Sequence, residues 1–192
     1  LVLVGGGSTR MGEDKAWLHY HQQAEWKRVW ECIEPLLKGC YLSLCQTQAD
    51  DERFQGTPCI VDRWENIGPL NGIASAMQTH PEAAWFVVPC DMPGLNTKTI
   101  ETILRQRDPN TLATVVENSH GKLEPLCAVY EPDAAGALLE AIESEDYSLY
   151  RCLRSWPVTR VRLEGDRSLQ NINTPEESQH FRETYTPEDS IQ

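Results

Sequence analysis

A glycine triplet, two cations and two carboxylates carry the chemistry this chain can be expected to do. Gly5-Gly6-Gly7 follows the apolar run Leu1–Val4, and Arg10 and Lys15 come next on the same loop. Backbone amides of a glycine turn, joined by two side-chain cations, can cradle phosphate oxygens. A glycine triplet also serves as an ordinary turn between strand and helix, so it does not decide the matter alone. The dinucleotide fingerprint GxGxxG would need glycine where Arg10 stands, and the Gly-Lys-Ser/Thr of the P-loop is absent. Asp62 and Asp91 each close an apolar run. Asp91, in Pro89-Cys90-Asp91-Met92-Pro93, is well placed to hold Mg²⁺ against phosphate oxygens. Mg²⁺ takes one or two carboxylates and fills its shell with water and phosphates, so one Asp can suffice. Asp62 reads either as a polar residue of a ligand site at the strand ends or as a solvated or helix-capping carboxylate.

Other chemistries lack their parts. His19, His21, His80, His120 and His180 show no metal-ligand spacing, and neither a GxSxG elbow nor a Cys–His signature stands out. Transfer onto a phosphate would explain the missing general base. A phosphate nucleophile is already ionised near neutral pH, which leaves positioning, charge neutralisation and in-line geometry.

The elements that must position these residues follow from apolar patterning. Leu1–Val4, Tyr41–Cys45, Cys59–Val61 and Trp85–Val88 are short continuous apolar runs, the pattern of strands buried on both faces. Between Gln22 and Lys38, Trp26, Val29, Trp30, Ile33 and Leu37 recur at helical spacing, with a break expected near Glu34 because Pro35 has no amide hydrogen. Gly68-Pro69 marks a turn, and Leu70–His80 reads as a helix whose Gly72, Ala74, Ser75 and Ala76 permit close packing. Helices are predicted over Thr97–Gln106 and Asp133–Glu143, and strands over Leu112–Val116 and Leu123–Tyr130. Val158–Leu163 alternates apolar and charged residues as an edge strand would, and Thr174-Pro175-Glu176-Glu177 is a strong helix start. This order predicts an α/β fold: one three-layer sandwich with a mostly parallel central sheet and helices on both faces. Residues 1–184 are expected to form one domain and 185–192 a loose tail. Ligands of open parallel sheets bind at the carboxyl ends of the strands, where all of these polar residues fall.

Composition narrows the class. The 192 residues are 40% hydrophobic, enough for a real core, and carry a net charge of −12. That charge argues against nucleic acid as a partner, since phosphate neutralisation supplies most of such binding. No run of about 18 apolar residues occurs, which predicts no membrane span. The chain opens on Leu rather than Met and is already in a strand. Residues upstream are expected to have been trimmed or left out, and a strand at the start argues against a signal peptide. Seven cysteines, an odd number with no CxxC pair, point to reduced thiols and a cytoplasmic setting.

The run from Gly5 to Lys15, GGGSTRMGEDK, resembles the GG-x-x-x-RMG-x-DK signature of the MobA-like nucleotidyltransferases, which include molybdenum cofactor guanylyltransferases. The resemblance continues through Gly68-Pro69-Leu70-Asn71-Gly72, Pro89-Cys90-Asp91-Met92-Pro93 and Asn171-Ile172-Asn173-Thr174-Pro175, in order along most of the chain. It implies transfer of GMP from GTP to the terminal phosphate of molybdopterin, with release of pyrophosphate. By matching positions, Leu3, Val4, Gly5 and Gly6 would border guanine and ribose. Arg10 and Lys15 would meet the triphosphate, Asp62 would contact the nucleotide, Asp91 would bind Mg²⁺, and Asn171 and Asn173 would lie near the acceptor phosphate. The resemblance further implies a monomer that works with molybdenum-insertion proteins and apo-molybdoenzymes. Two departures stand out: the loop from Met11 to Lys15 is one residue shorter than in some relatives, and Cys45-Gln46-Thr47 stands where relatives often carry Asn. A CTP-dependent enzyme, one with another phosphorylated acceptor, and a non-catalytic nucleotide-binding chaperone are the alternatives. Gly5-Gly6 and Asn173 favour the guanylyl type, because the cytidylyl type tends toward Ala-Ala-Gly and Asp-Thr-Pro.

Overall fold

The computed structural model describes residues 1–5, 23–118 and 120–163, and it builds them around one mixed, mostly parallel sheet of seven strands. In chain order the elements are β1 (Val2–Leu3), α1 (Glu25–Ile33), β2 (Leu42–Leu44), β3 (Cys59–Val61), α2 (Leu70–Thr79) and β4 (Trp85–Pro89). Then come α3 (Thr97–Arg105), β5 (Ala113–Glu117), β6 (Leu123–Tyr130), α4 (Ala134–Glu143), α5 (Leu149–Ser155) and β7 (Val158–Arg162). The strands lie in the order β3-β2-β1-β4-β6-β5-β7, and β6 alone of the seven runs against its neighbours. The expected helix start at Thr174 and the tail lie outside the described residues.

Strand residues alternate between two cores, as a pleat requires. Val2, Leu42, Leu44, Phe86 and Val88 face α1 and α3, packing with Trp26, Val29, Ile33, Ile100 and Ile103. Leu1, Leu3, Ile60, Trp85 and Val87 face α2, α4 and α5. Helices thus cover both faces, as the patterning predicts. Pro35 ends α1 as expected: Glu34–Leu36 tightens into a 3₁₀ turn. α5 has no counterpart in the sequence reading. It is a seven-residue helix capped by Ser148, whose hydroxyl accepts from the Arg151 amide, and it is too short to show a period. No helix among the described residues is long and apolar enough to cross a membrane.

β7 forms one edge of the described sheet, opposite β3, and pairs in parallel with β5. Its two charged side chains have a purpose there: Arg160 and Arg162 both donate to the buried Glu117 carboxylate, at 2.9 and 2.8 Å. All seven cysteines are free thiols. Burial pushes Cys40 up to about 11 and Cys127 up to about 12.

Helix α2 approaches the sheet unusually closely. Gly72 lies over β1 and β2, where a Cβ would press on Ser43 and come within 2.9 Å of Leu3 Cδ2. Gly72→Ala is therefore expected to lower stability by about 1–2 kcal/mol, the overpacking loss outweighing the about 1 kcal/mol that alanine regains in a helix. A urea midpoint equal to or above wild type would contradict this close contact.

Candidate functional site

The chain leaves β1 toward β2 on one side and reaches β4 on the other. Both pair with β1 in parallel. Connections that diverge in this way open a crevice at the carboxyl ends, between β1 and β4. Gly5 stands on one lip: its amide donates to the Ser43 carbonyl at 3.1 Å, and a Cβ there would sit 3.0 Å from the Cys45 nitrogen. Any other residue would make the end of β2 give way by a few tenths of an ångström. Asp91 stands on the other lip, just after the Cys90 amide donates to the Leu3 carbonyl at 3.2 Å.

Asp62 leaves β3 at the same edge. Its amide donates to the Leu44 carbonyl at 2.8 Å, its Oδ1 accepts from the Ser43 hydroxyl at 2.9 Å, and its carbonyl accepts from Gln46 Nε2 at 2.7 Å. Burial pushes the Asp62 carboxyl up to about 6, with the Ser43 hydrogen bond pulling the other way. The loop behind it is pinned by Asn71. The Asn71 side-chain oxygen accepts from the Arg63 and Trp64 amides, each at 3.1 Å, and its Nδ2 donates to the Trp64 carbonyl. Within Gly68–Gly72, then, Asn71 and Gly72 hold α2 and the Asp62 loop in place and face the protein interior.

The Asp91 turn is held from the opposite face by Arg28, which patterning alone does not single out. Arg28 Nη2 donates to the Met92 carbonyl at 2.8 Å and Nη1 to the Leu95 carbonyl at 2.7 Å, while Nε donates to Glu25 Oε1 at 2.7 Å. Glu25 is fully buried. Burial pushes its carboxyl up, Arg28 pulls it down, and the charge of Asp91 adds to the rise. In the sequence the two are only opposite charges three residues apart on a helix, which an exposed ion pair would equally show.

The structure gathers Leu3, Val4, Gly5, Asp62 and Asp91 at one edge of the sheet. Gly6, Arg10, Lys15, Asn171 and Asn173 lie outside the described residues. Among the described residues no group of three or more His, Cys, Asp and Glu side chains is arranged to hold a metal. Asp91 itself offers a hard carboxylate oxygen at the crevice, the donor chemistry that suits Mg²⁺. His80 is accounted for by packing, its ring 5.1 Å from Tyr41 and 5.9 Å from Trp85. Cys45-Gln46-Thr47 begins a 3₁₀ turn in which the Cys45 amide donates to Gln48 Oε1 at 3.1 Å.

Comparison with known proteins agrees with this fold. A family model described as "MobA-like NTP transferase domain" matches residues 1–161. A molybdenum cofactor biosynthesis bifunctional protein of Synechocystis sp. is 30% identical over 178 residues, covering 92% of this chain and 51% of that protein. The chain thus spans about half the length of that curated relative. The crystal structure of molybdopterin-guanine dinucleotide biosynthesis protein A from Archaeoglobus fulgidus matches with a TM-score of 0.78 at 24% identity, over 95% of each chain. Rv0371c from Mycobacterium tuberculosis H37Rv matches with a TM-score of 0.78 at 19% identity, over 96% of this chain and 97% of that one. A complex of Rv0371c with manganese matches with a TM-score of 0.68. At these identities the structural likenesses speak for the fold.

Two outcomes follow from the geometry. Arg28→Met should cost about 3–5 kcal/mol, because it strands the buried Glu25 carboxylate, and adding Glu25→Leu should recover most of the loss. A double variant as unstable as the single one would assign the cost to the lost carbonyl contacts instead. For Asp62, the folded value of about 6 exceeds the ordinary 3.8, so folding keeps a proton on it between those pH values. Its contribution to stability is full below about pH 4 and is lost as pH rises through about 6. The melting temperature of Asp62→Asn relative to wild type should therefore climb from pH 4 to pH 7. A flat difference would show a carboxylate with an ordinary titration.

Proposed function

The chain belongs to the MobA-like NTP transferase family, and on that premise we propose that it transfers GMP from GTP to the terminal phosphate of molybdopterin. The observation that carries this reading is the convergence of the Gly5 turn and the Asp91 turn across the β1–β4 crevice, with Asp62 on the same edge. An oxygen of the acceptor phosphate attacks the α-phosphorus of GTP, the bond from that phosphorus to the bridging oxygen breaks, and pyrophosphate leaves with its electrons. Molybdopterin guanine dinucleotide is the product.

The nucleophile brings no proton that must be removed, so the protein's work is placement and charge. Leu3, Val4, Gly5 and Gly6 border the base and ribose, where backbone groups of a glycine turn can read a base edge. Asp62 accepts a hydrogen bond from the nucleotide. Arg10 and Lys15 neutralise the triphosphate, and Asn171 and Asn173 steady the acceptor phosphate. Asp91 would hold Mg²⁺, which when bound supplies positive charge against the phosphate oxygens. Arg28 keeps the Asp91 turn at its height through the Met92 and Leu95 carbonyls. The free thiols support a reducing, cytoplasmic compartment. Molybdenum-insertion proteins and apo-molybdoenzymes are the partners this product calls for.

Incubation with molybdopterin, Mg²⁺ and each nucleoside triphosphate, with the product identified by mass, tests the reading directly. A cytidine dinucleotide, or no dinucleotide, would overturn it. Asp91→Asn should slow turnover by orders of magnitude and raise the Mg²⁺ concentration needed for half-maximal rate. Metal-free GTP binding should hold or improve in this variant, since a repelling carboxylate is gone. Unchanged Mg²⁺ dependence would place the metal elsewhere.

A further inference from the structure

At the edge that carries the site, the ladders on both sides of β2 are finished by side chains. Val2 pairs with Leu42 and Leu3 with Ser43, and the Val2 and Val4 amides donate to the Tyr41 and Ser43 carbonyls at 2.9 and 3.3 Å. A parallel ladder repeats evenly, so its next rung would run from the Cys45 amide to the Val4 carbonyl. A glutamine divides that rung. The Cys45 amide donates to Gln48 Oε1 at 3.1 Å, and Gln48 Nε2 donates to the Val4 carbonyl at 3.5 Å.

The other side of β2 repeats the device. Leu42 pairs with Cys59 and Leu44 with Val61, and the Asp62 amide donates to the Leu44 carbonyl at 2.8 Å. Continuing the ladder would bring the Gln46 amide to the Asp62 carbonyl. The Gln46 side chain takes that carbonyl, its Nε2 donating at 2.7 Å. Both glutamines belong to the 3₁₀ turn Gln46–Gln48 that follows β2. The Cys45 thiol draws this turn together, donating to Gln48 Oε1 at 3.2 Å and lying 3.1 Å from Thr47 Oγ1. A carboxamide offers the donor and acceptor of a peptide unit, so it carries a ladder onward while holding the strand ends farther apart than a direct rung would. Gln48 is buried and Gln46 exposed.

The two carbonyls held in this way belong to Val4 and Asp62. Val4 precedes Gly5, and the amides of both donate to the Ser43 carbonyl. One short turn thus fastens the glycine turn on one side of β2 and Asp62 on the other. We infer that Gln46 and Gln48 are positioning residues for the nucleotide, setting the gap between the Gly5 turn and Asp62 through the Val4 and Asp62 carbonyls. The inference rests on the reading of the protein as a transferase whose nucleotide lies over those two groups. Backbone donors and acceptors have fixed chemistry, so their spacing decides which base edge meets them in line, and hydrogen bonds weaken steeply out of line.

The test measures dissociation constants for GTP and CTP by titration calorimetry, without acceptor, for wild type, Gln46→Met and Gln48→Leu. Gln46→Met keeps the side chain's length and removes its donor at an exposed position. Its melting temperature should stay at the wild-type value while its GTP Kd rises about 3- to 10-fold. Gln48→Leu strips a partner from both the Cys45 amide and the Val4 carbonyl, and should raise the GTP Kd about 10- to 100-fold. The preference for GTP over CTP should narrow in both. A merely structural role would lower the melting temperature and leave the Kd of the folded protein and its base preference unmoved. Gln46→Met carries the test if Gln48→Leu fails to fold. GTP binding by wild type, with Kd and base preference unmoved in the variants that fold, would overturn the positioning role and leave the proposed function standing. No nucleotide binding by wild type would overturn both.

Discussion

Two residues of backbone, Val2 and Leu3, are paired on both sides, and the site depends on that pairing. They line up with Leu42 and Ser43 in β2 and with Val88 and Pro89 in β4. Because all three strands run the same way, the chain must leave them at one common edge. The glycine turn and Asp91 become neighbours for that reason, although 86 positions separate Gly5 from Asp91 in the sequence. A strand so short can fill this role because it is buried on both faces and needs no length to find its register.

Around this centre, among the described residues, each buried acidic side chain is tethered by arginine. Glu25 is tied to Arg28, Glu117 to Arg160 and Arg162, and Glu131 to Arg107. A buried pair contributes little net stability but costs much to break, so such pairs fix geometry more than they add free energy. Arg28 shows the use: one guanidinium joins a helix to two carbonyls more than sixty residues away. In a chain of net charge −12, cations placed this precisely matter more than their number.

Much of this was legible beforehand. A continuous apolar run gave β3 to the residue, the strand expected over Leu123–Tyr130 matches β6, and Pro35 marked where α1 gives way. The carboxylates after β3 and β4 were visible because polar residues closing apolar runs are unusual. Three things were not legible, each for a physical reason. α5 is shorter than two full periods of any amphipathic pattern need. Arg28 and Glu25 look like an exposed ion pair unless the burial of their helix is known. The bulge in β6, where Val115 faces Ala128 but Val116 faces Glu124, arises from the mismatch of two strands, a property of neither strand alone. Asn71, read as part of a family signature, belongs to the scaffold, since its hydrogen bonds end on backbone groups of the Asp62 loop.

The cysteines carry a consequence of another kind. Burial holds Cys40 and Cys127 far from the thiolate form on opposite halves of the sheet, one just before β2 and the other within β6. Neither can react with an alkylating reagent while its surroundings stay closed, because the thiolate is the nucleophile. Each thiol therefore works as a clock for the part of the sheet in which it sits. Unequal labelling rates at the two would show that the halves breathe independently, and equal rates that the sheet opens as one cooperative unit.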